Sequence, residues 1–566
     1  MKSLYCIVRV LTCLAALHLA ACGGLPSGAP SERSATYGTA AIAMPDSYSA
    51  EVASQILADG GNAIDAGVAA AFTLAVTYPE AGNIGGGGFM LIWFEGQPHF
   101  LDYRETAPAA ATRDMYLDDG GAVVEGASLV GHLASGVPGT VAGMWEAHAR
   151  FGQLEWKDLL DPAVELAERG FRVHPQLQEE LEAERGGFEG RTNFPEYFGG
   201  LRAGAVFRQP ELAATLRRIQ AQGASGFYSG ETAQRLVDEM RRGGGAISTQ
   251  DLQTYRPVWR LPLRRPWRQY EVLAAPPPSS GGIAVMQLLT MKDRLAPLFA
   301  GVAHNSPAYV HLTAEMSKRV FADRAEYLGD PDFHQVPVEQ LLDPAYLETR
   351  AASVDPERIS ALATVPPGLE PVHTTHYSIV DRRGNAVANT YTLNTSFGSG
   401  VVVEGAGFLL NNEMDDFSIK PGLPNYYGVV GAAANEIAPG KRMLSSMSPT
   451  ILLEGGQVKM VLGTPGGSTI ISSVYQTIVN VLDFGMTPDA SVAATRFHHQ
   501  LLPPDLITFS PSRPLSASTI GALAARGYRV QPHEWDFGDV QLVLRTASGW
   551  QAASDPRRRG EARVLN

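Results

Sequence analysis

Cysteine is nearly absent from this 566-residue chain, and its three copies, Cys6, Cys13 and Cys22, all lie at the start. A mature protein cut before Cys22 therefore has no disulfide, and thiol nucleophiles and cysteine metal sites are excluded downstream of that residue. Positive charge is also short. Lys and Arg number 45 against 58 Asp and Glu, for a formal charge of −13, which disfavours a nucleic-acid partner because such a partner needs a basic patch to replace counterions. Arg557 to Arg559 is the longest basic run and reads as a surface cluster. No apolar run of membrane-spanning length follows the first residues, and no G-x-x-x-x-G-K-[ST] phosphate loop exists. The four glycines Gly85 to Gly88 lack the G-x-G-x-x-G spacing, so they speak for close backbone passage rather than for a nucleotide. His498-His499 invites a metal reading, but adjacent histidines point in different directions and have no supporting ligands nearby in sequence, so no metal is expected.

What is present begins with a leader. Lys2 and Arg9 precede an apolar run from Val10 to Ala21, too short for a span of about 20 residues, and small residues then lead into Cys22. That is the pattern of an export signal. Leu19-Ala20-Ala21-Cys22 further resembles the bacterial lipoprotein signal, in which the cysteine is lipidated and becomes the first residue, and Gly23 fits sorting to the outer membrane. Residues 1–21 are thus expected to be removed, residues 22–36 to form a Gly/Pro/Ser-rich tether, and the protein to be periplasmic on a lipid anchor. With 45% apolar and 18% charged residues, the remainder can bury a large core.

In the body of the chain, Val52, Ile56 and Leu57 recur at helical spacing from Ser47 to Ala58, Asp59-Gly60-Gly61 ends that helix, and a second begins near Asn62. A strand-like run from Phe89 to Phe94 follows the glycines. Asp161-Pro162 predicts an N-cap with proline in the first helical position, and Gly170 predicts the stop. The middle of the chain reads as mainly helical, interrupted at Pro276 to Gly282. After Val372 strands take over. Tyr377 to Val380 and Ala386 to Thr392 flank a turn, and a symmetric hairpin centred on Arg383 places Thr374 opposite Thr392, although a slip of one residue would reverse the facing. A second hairpin, Thr450 to Leu453 with Val458 to Leu462, pairs Ser445 with Gly466 and brings Ser445-Ser446 to Gly466-Gly467. Ile470, Ile471, Val474, Ile478 and Val481 then have helical spacing, so the glycine pair sits at a strand-to-helix turn. Such a turn either stabilises an oxyanion through its backbone N–H groups or is a plain loop.

Many longer motifs occur in order, among them Gly60-Gly61-Asn62-Ala63-Ile64-Asp65-Ala66, Leu101-Asp102-Tyr103-Arg104-Glu105-Thr106-Ala107-Pro108 and Pro276-Pro277-Pro278-Ser279-Ser280-Gly281-Gly282. Ala322-Asp323-Arg324-Ala325-Glu326-Tyr327, Thr374-Thr375-His376-Tyr377-Ser378 and Asn411-Asn412-Glu413-Met414-Asp415-Asp416-Phe417 continue the series. Leu444-Ser445-Ser446-Met447-Ser448-Pro449 and Gly463-Thr464-Pro465-Gly466-Gly467-Ser468 close it. On these residues the chain resembles the γ-glutamyltransferases of the N-terminal-nucleophile hydrolase superfamily from about Tyr37 to Arg557.

The resemblance implies an α+β fold, a four-layer αββα sandwich, in a precursor that breaks its own His373-Thr374 bond. Residues 37–373 would form a large subunit and residues 374–566 a small catalytic one, paired as a heterodimer from one chain without a cofactor. A terminal threonine carries its own base, an α-amine with an ordinary pKa of about 7.7 to 8.0, so cleavage would create the catalyst. By resemblance Thr374 is the nucleophile, Thr392 the assisting hydroxyl, and Gly466 and Gly467 the oxyanion donors. Arg104, Ser445 and Ser446 would hold the substrate's α-carboxylate, while Asn394, Glu413 and Asp416 would hold its α-ammonium. Glu413 stands where some bacterial members have glutamine, and Tyr427 matches the tyrosine of a lid loop over the donor pocket. The implied donors are γ-glutamyl compounds such as glutathione, with water, amino acids or peptides as acceptors. Read without the resemblance, Arg104-Glu105 is a surface pair and Asp415-Asp416 a solvated turn. Two other readings are a related acylase that removes a dicarboxylic side chain from a β-lactam nucleus, and an anchored binding module that never matures.

Overall fold

The computed structural model describes residues 38–361, 374–420 and 431–566, so Cys22, His373 and Tyr427 lie outside the described residues. The N-terminal motif folds as its caps dictate. Asp46 accepts the Ser49 N–H at 2.7 Å to open helix Ser47–Ala58, and Asn62 and Asp65 cap each other's backbone to open helix Ala63–Thr77. Gly60, at φ +95°, makes the corner between them.

Two antiparallel sheets carry the architecture. The first runs, edge to edge, Glu561–Leu565, Ala40–Met44, Thr375–Val380, Ala386–Thr392, Gly87–Phe94, Gln97–Asp102, Val258–Arg260. The second runs Gly549–Ser554, Gln541–Thr546, Gln457–Gly463, Thr450–Glu454, Tyr270–Ala274, Leu263–Trp267. Strand alternation sorts the layers, because successive side chains point to opposite faces. Ile42, Met44, Met90, Ile92, Ile379 and Val387 pack with the helices Ser47–Ala58 and Ala63–Thr77. Their neighbours Ala41, Ala43, Phe89, Leu91, Val380 and Ala388 pack with Leu273, Ile451 and Val461 of the other sheet and with the core that includes Val285, Leu312 and Val474 on helices Gly281–Arg294, Pro307–Tyr327 and Thr469–Leu482. Helix, sheet, sheet and helix therefore stack as an αββα sandwich, and strands buried on both faces explain why Thr375–Val380 and Ala386–Thr392 have no exposed residue.

The hairpin register is the expected one: Val380 pairs with Ala386 and Thr375 with Tyr391, which continues to Thr374 opposite Thr392. Three expectations need correction. The second hairpin has a bulge at Leu452/Leu453: Leu453 pairs with Val458 but Leu452 with Met460, which shifts the count by one, and the ladder ends at Thr450 with Leu462, while Ser445 bridges Ser279 instead. The helix expected from Pro162 starts earlier, at Trp156, and holds Pro162 inside, because Trp156, Leu159 and Leu160 extend the buried face of Ala163, Val164 and Ala167; it does stop at Gly170. The middle of the chain also contributes strands Val258–Arg260, Leu263–Trp267 and Tyr270–Ala274, whose short, Arg-rich edges hide the β pattern.

Candidate active site

Thr374 heads the central strand Thr375–Val380, is 8% exposed, and points its Oγ1 at Thr392 Oγ1, 3.4 Å away on the neighbouring strand. Thr392 is fixed in turn. Its hydroxyl accepts the Asn394 N–H at 2.7 Å and its carbonyl accepts Asn83 Nδ2 at 2.9 Å. The glycine run meets its purpose here: a Cβ on Gly86 would stand 2.0 Å from the Thr392 carbonyl, and one on Gly85 2.0 Å from that of Leu409.

Around Thr374 a cavity of about 360 Å³ gathers Arg104, Thr392, Asn394, Glu413, Asp416, Ser445, Ser446 and Gly467. Gly466, its chain neighbour, is not part of that lining. The glycine turn is closed through carbonyls: Thr469 donates to the Gly466 carbonyl through its N–H at 2.9 Å and its hydroxyl at 2.7 Å, and the Ile470 N–H donates to Gly467 at 3.2 Å. Among the described residues no acceptor takes the N–H of either glycine. Gly466 has φ +145°, and a Cβ there would meet Thr469 Oγ1 at 2.5 Å.

Arg104 is completely buried, so Arg104 and Glu105 do not form a surface pair, and Asp415, only 2% exposed, accepts the Ser128 hydroxyl at 2.6 Å instead of turning to solvent. Arg104 Nη1 lies 2.5 Å from Glu413 and 3.3 Å from Glu105, and its Nη2 bonds Asp416. The cation and two of the acceptors that the resemblance assigns to opposite ends of a substrate are thus joined in one network. Glu413 Oε1 and Glu105 Oε1 have no donor among the described residues. Burial works against the charge on Arg104, but Glu413, Glu105 and Asp416 hold its pKa above the ordinary value. Burial also pushes Glu105 up to about 7, against the pull of Arg104, and moves Glu413 well above the carboxylate range with help from Glu105 and Asp416. Asp416 is raised too, by burial, against Arg104 and Arg324.

Arg324, which has no role assigned by the resemblance, also lines the pocket. Its Nε donates to Ser280 Oγ at 3.0 Å and its Nη2 to Ser446 Oγ at 3.2 Å. Ser280 in turn gives both its N–H and its hydroxyl to the Ser445 carbonyl, each at 2.8 Å. The Pro276 to Gly282 interruption is therefore the scaffold of the Ser445-Ser446 loop. A signal existed in the sequence, since a buried arginine on the helical Ala322 to Tyr327 motif must find acceptors, but not which ones. His498 is buried with Ser472 Oγ at 2.7 Å and Gln500 Oε1 at 3.0 Å, and no group of three or more metal-ligating side chains occurs among the described residues.

The sequence profile described as gamma-glutamyltranspeptidase matches residues 49–565. A "glutathione hydrolase proenzyme" of Pseudomonas aeruginosa is 56% identical over 531 residues, which cover 94% of this chain and 95% of that protein. Among solved structures, a gamma-glutamyltranspeptidase from Pseudomonas nitroreducens complexed with L-DON is 56% identical with a TM-score of 0.56, covering 56% of this chain and 95% of that one. A cephalosporin acylase from Bacillus halodurans is 27% identical with a TM-score of 0.81, covering 96% of this chain and 99% of that one.

Proposed function

The chain belongs to the gamma-glutamyltranspeptidase family, and from that premise we propose how its residues divide the reaction. The protein is a self-processing γ-glutamyltransferase and glutathione hydrolase that cleaves γ-glutamyl amide bonds. In our reading Thr374 is its nucleophile. The observation that carries this is the pair of hydroxyls, Thr374 and Thr392, 3.4 Å apart in a cavity lined by the buried guanidiniums of Arg104 and Arg324 and the carboxyls of Glu413 and Asp416.

Cleavage of the His373-Thr374 bond would leave residues 22–373, the tether and the large subunit, and residues 374–566, the small subunit, and free the Thr374 α-amine. That amine takes the hydroxyl proton as Oγ1 attacks the γ-carbonyl carbon. A C–O bond forms, the amide C–N bond breaks, and the proton leaves with the departing amine. Water, or the amine of an amino acid or peptide, then attacks the ester and returns Thr374. The unclaimed N–H groups of Gly466 and Gly467 support the oxyanion reading of this turn over the plain loop. Arg104 with Ser445 and Ser446 takes the α-carboxylate, and Asn394, Glu413 and Asp416 take the α-ammonium; the Oε1 of Glu413, without a donor among the described residues, supports that division. Tyr427 closes the pocket by resemblance alone. The acylase reading is supported by fold likeness at 27% identity, against 56% for the glutathione hydrolase relative.

Intact mass of purified protein beside Thr374→Ala is the test. Two fragments from the wild type, the smaller beginning at Thr374, and one chain from the variant are expected. An uncleaved wild type that still hydrolyses a γ-glutamyl anilide would remove Thr374 from its role, and faster turnover of a glutaryl amide than of the anilide would favour the acylase. The leader supports export and lipidation of Cys22 at the outer membrane. Cys22→Ser is accordingly expected to move the protein from the detergent phase to the aqueous phase on phase partition, and a protein found in the aqueous phase whichever residue stands there would refute the anchor.

A further inference from the structure

We propose that a polar stripe, Ser468, Ser472 and Gln476, gripped by His498 and Gln500, aims the Gly466-Gly467 turn, and that Gln500 is a positioning residue for the reaction although it does not touch the substrate. The inference rests on the oxyanion reading of that turn. Helix Thr469–Leu482, which follows the turn, is buried along most of its length, and Ile470, Ile471, Val474 and Ile478 belong to the core shared with the second sheet. Apolar packing is non-directional, so it holds a helix on a sheet without fixing where along its axis the helix stops. Ser468, Ser472 and Gln476 lie four residues apart and therefore on one face, and all three reach the segment from Phe497 to Gln500.

Each bond in the grip has a defined donor and acceptor. Gln476 pairs with the Phe497 backbone in both directions, its Nε2 donating to the carbonyl at 2.7 Å and its Oε1 accepting the N–H at 3.2 Å. Gln500 Nε2 donates to the Leu502 carbonyl at 2.8 Å, which turns Oε1 toward Ser468, whose hydroxyl it accepts at 2.6 Å. His498 Nε2 stands 3.0 Å from the same amide oxygen, so it carries the ring proton, and Nδ1 accepts the Ser472 hydroxyl at 2.7 Å. Ser468 is where this network meets the reaction. It lines the Thr374 cavity next to Gly467 and makes no side-chain cap for its own helix, because its proton goes to Gln500. Gln500 lines a separate cavity of about 570 Å³ that shares no lining residue with the Thr374 cavity. A change at Gln500 therefore acts on the turn through Ser468. Small displacements of the turn matter, because hydrogen bonds to a developing oxyanion weaken steeply with distance and angle.

Gln500→Met keeps the bulk and removes the acceptor, Ser468→Ala removes the donor, and Ser468→Thr keeps a hydroxyl. Self-cleaved forms of each are compared with wild type in turnover of γ-glutamyl-p-nitroanilide and in inhibition by glutamate and by its γ-boronate analogue, 2-amino-4-boronobutanoic acid. Thr374 Oγ1 adds to the boron and its proton passes to the Thr374 α-amine, so the adduct carries a tetrahedral negative charge that free glutamate does not present. Gln500→Met and Ser468→Ala are each expected to lower kcat and weaken the boronate about tenfold or more, with donor KM and the glutamate inhibition constant within about threefold of wild type. Ser468→Thr is expected to stay within about threefold in all four. An unchanged boronate constant in Gln500→Met overturns the proposal. So does a loss of glutamate and boronate affinity by the same factor, since the network would then shape the donor pocket as a whole. Failure of both Gln500→Met and Ser468→Ala to mature, while Ser468→Thr matures, also overturns it, because the bonds would then hold the fold rather than aim the turn. Gly466→Ala separates the two readings. If it leaves the boronate constant unchanged, the oxyanion reading itself falls; if it weakens the boronate and the other variants do not, only the present inference falls.

Discussion

Arg104 shows why the pocket is built for a zwitterion. The Arg104 guanidinium, with Arg324 acting on Asp416, faces three buried carboxyls, Glu105, Glu413 and Asp416, and burying charge without balance is costly, so the carboxyl pKa values are raised. A substrate ammonium is the missing cation. Protonated Glu413 cannot pair with it, whereas the ionised form can, so donor affinity should improve as pH rises through the range where the raised carboxyls titrate, with Glu105 at about 7. The donor KM is expected to fall as pH climbs from 5.5 toward 8.5, by about thirtyfold if one carboxyl titrating at about 7 dominates. Glu413→Gln keeps an acceptor for the ammonium but does not titrate, so its KM profile should be flatter and its KM at high pH larger. A variant with the wild-type slope would place the titrating group elsewhere. The sequence names these residues through the resemblance, but not their mutual bonding, because Arg104 and Asp416 meet across 312 positions of chain and nothing local encodes such a meeting.

The two hairpins show what an element reveals and what it hides. Around Arg383 the ladder is symmetric, with Val380 opposite Ala386, so counting from the turn finds the partner of Thr374. Both strands are buried on both faces, and any slip would put the hydroxyl in the wrong layer. Around Gly455-Gly456 the same count fails by one, because the bulge leaves Lys459 without a partner. A bulge depends on the twist of neighbouring strands and has no residue signature here, so the facing of Ser445 is visible only in the fold. The Gly466-Gly467 turn before helix Thr469–Leu482 was legible as a turn, while its unclaimed N–H groups were not. Gly466→Ala would put a Cβ 2.5 Å from Thr469 Oγ1 at φ +145° and displace both N–H groups. Loss of about a hundredfold in kcat with a donor KM changed by less than about threefold is expected, since the Arg104 end is untouched. A KM defect without a kcat defect would mean that the turn binds substrate rather than the oxyanion.

For the whole molecule, the titration of buried groups sets a pH window for stability. Burial lowers His376 and His498 to about 3 and His499 and His533 to about 4, so below pH ~6.5 unfolding takes up protons and low pH costs stability. Burial raises Glu80, Glu105 and Glu184 to about 7 and Asp539 to about 8, so above pH ~4.3 the folded state holds protons that the unfolded state has released. Between those limits four histidines and four carboxyls act in opposite directions and largely cancel. Above pH ~6.5 the histidines are neutral in both states and only the carboxyls remain, so stability falls as pH rises toward 8.5, by on the order of 4 kcal/mol. For a chain of this size that is a drop in Tm of about 4 °C, measurable by calorimetry on the self-cleaved protein. Asp539 has the highest of the four pKa values, so Asp539→Asn should reduce the slope above pH 6.5 and, between pH ~4.3 and ~6.5, leave the histidines less opposed. A Tm that rises from pH 6.5 to 8.5 would mean that pairing with Arg104, Arg558 and Arg559 outweighs burial, so that these carboxylates are already ionised at neutrality.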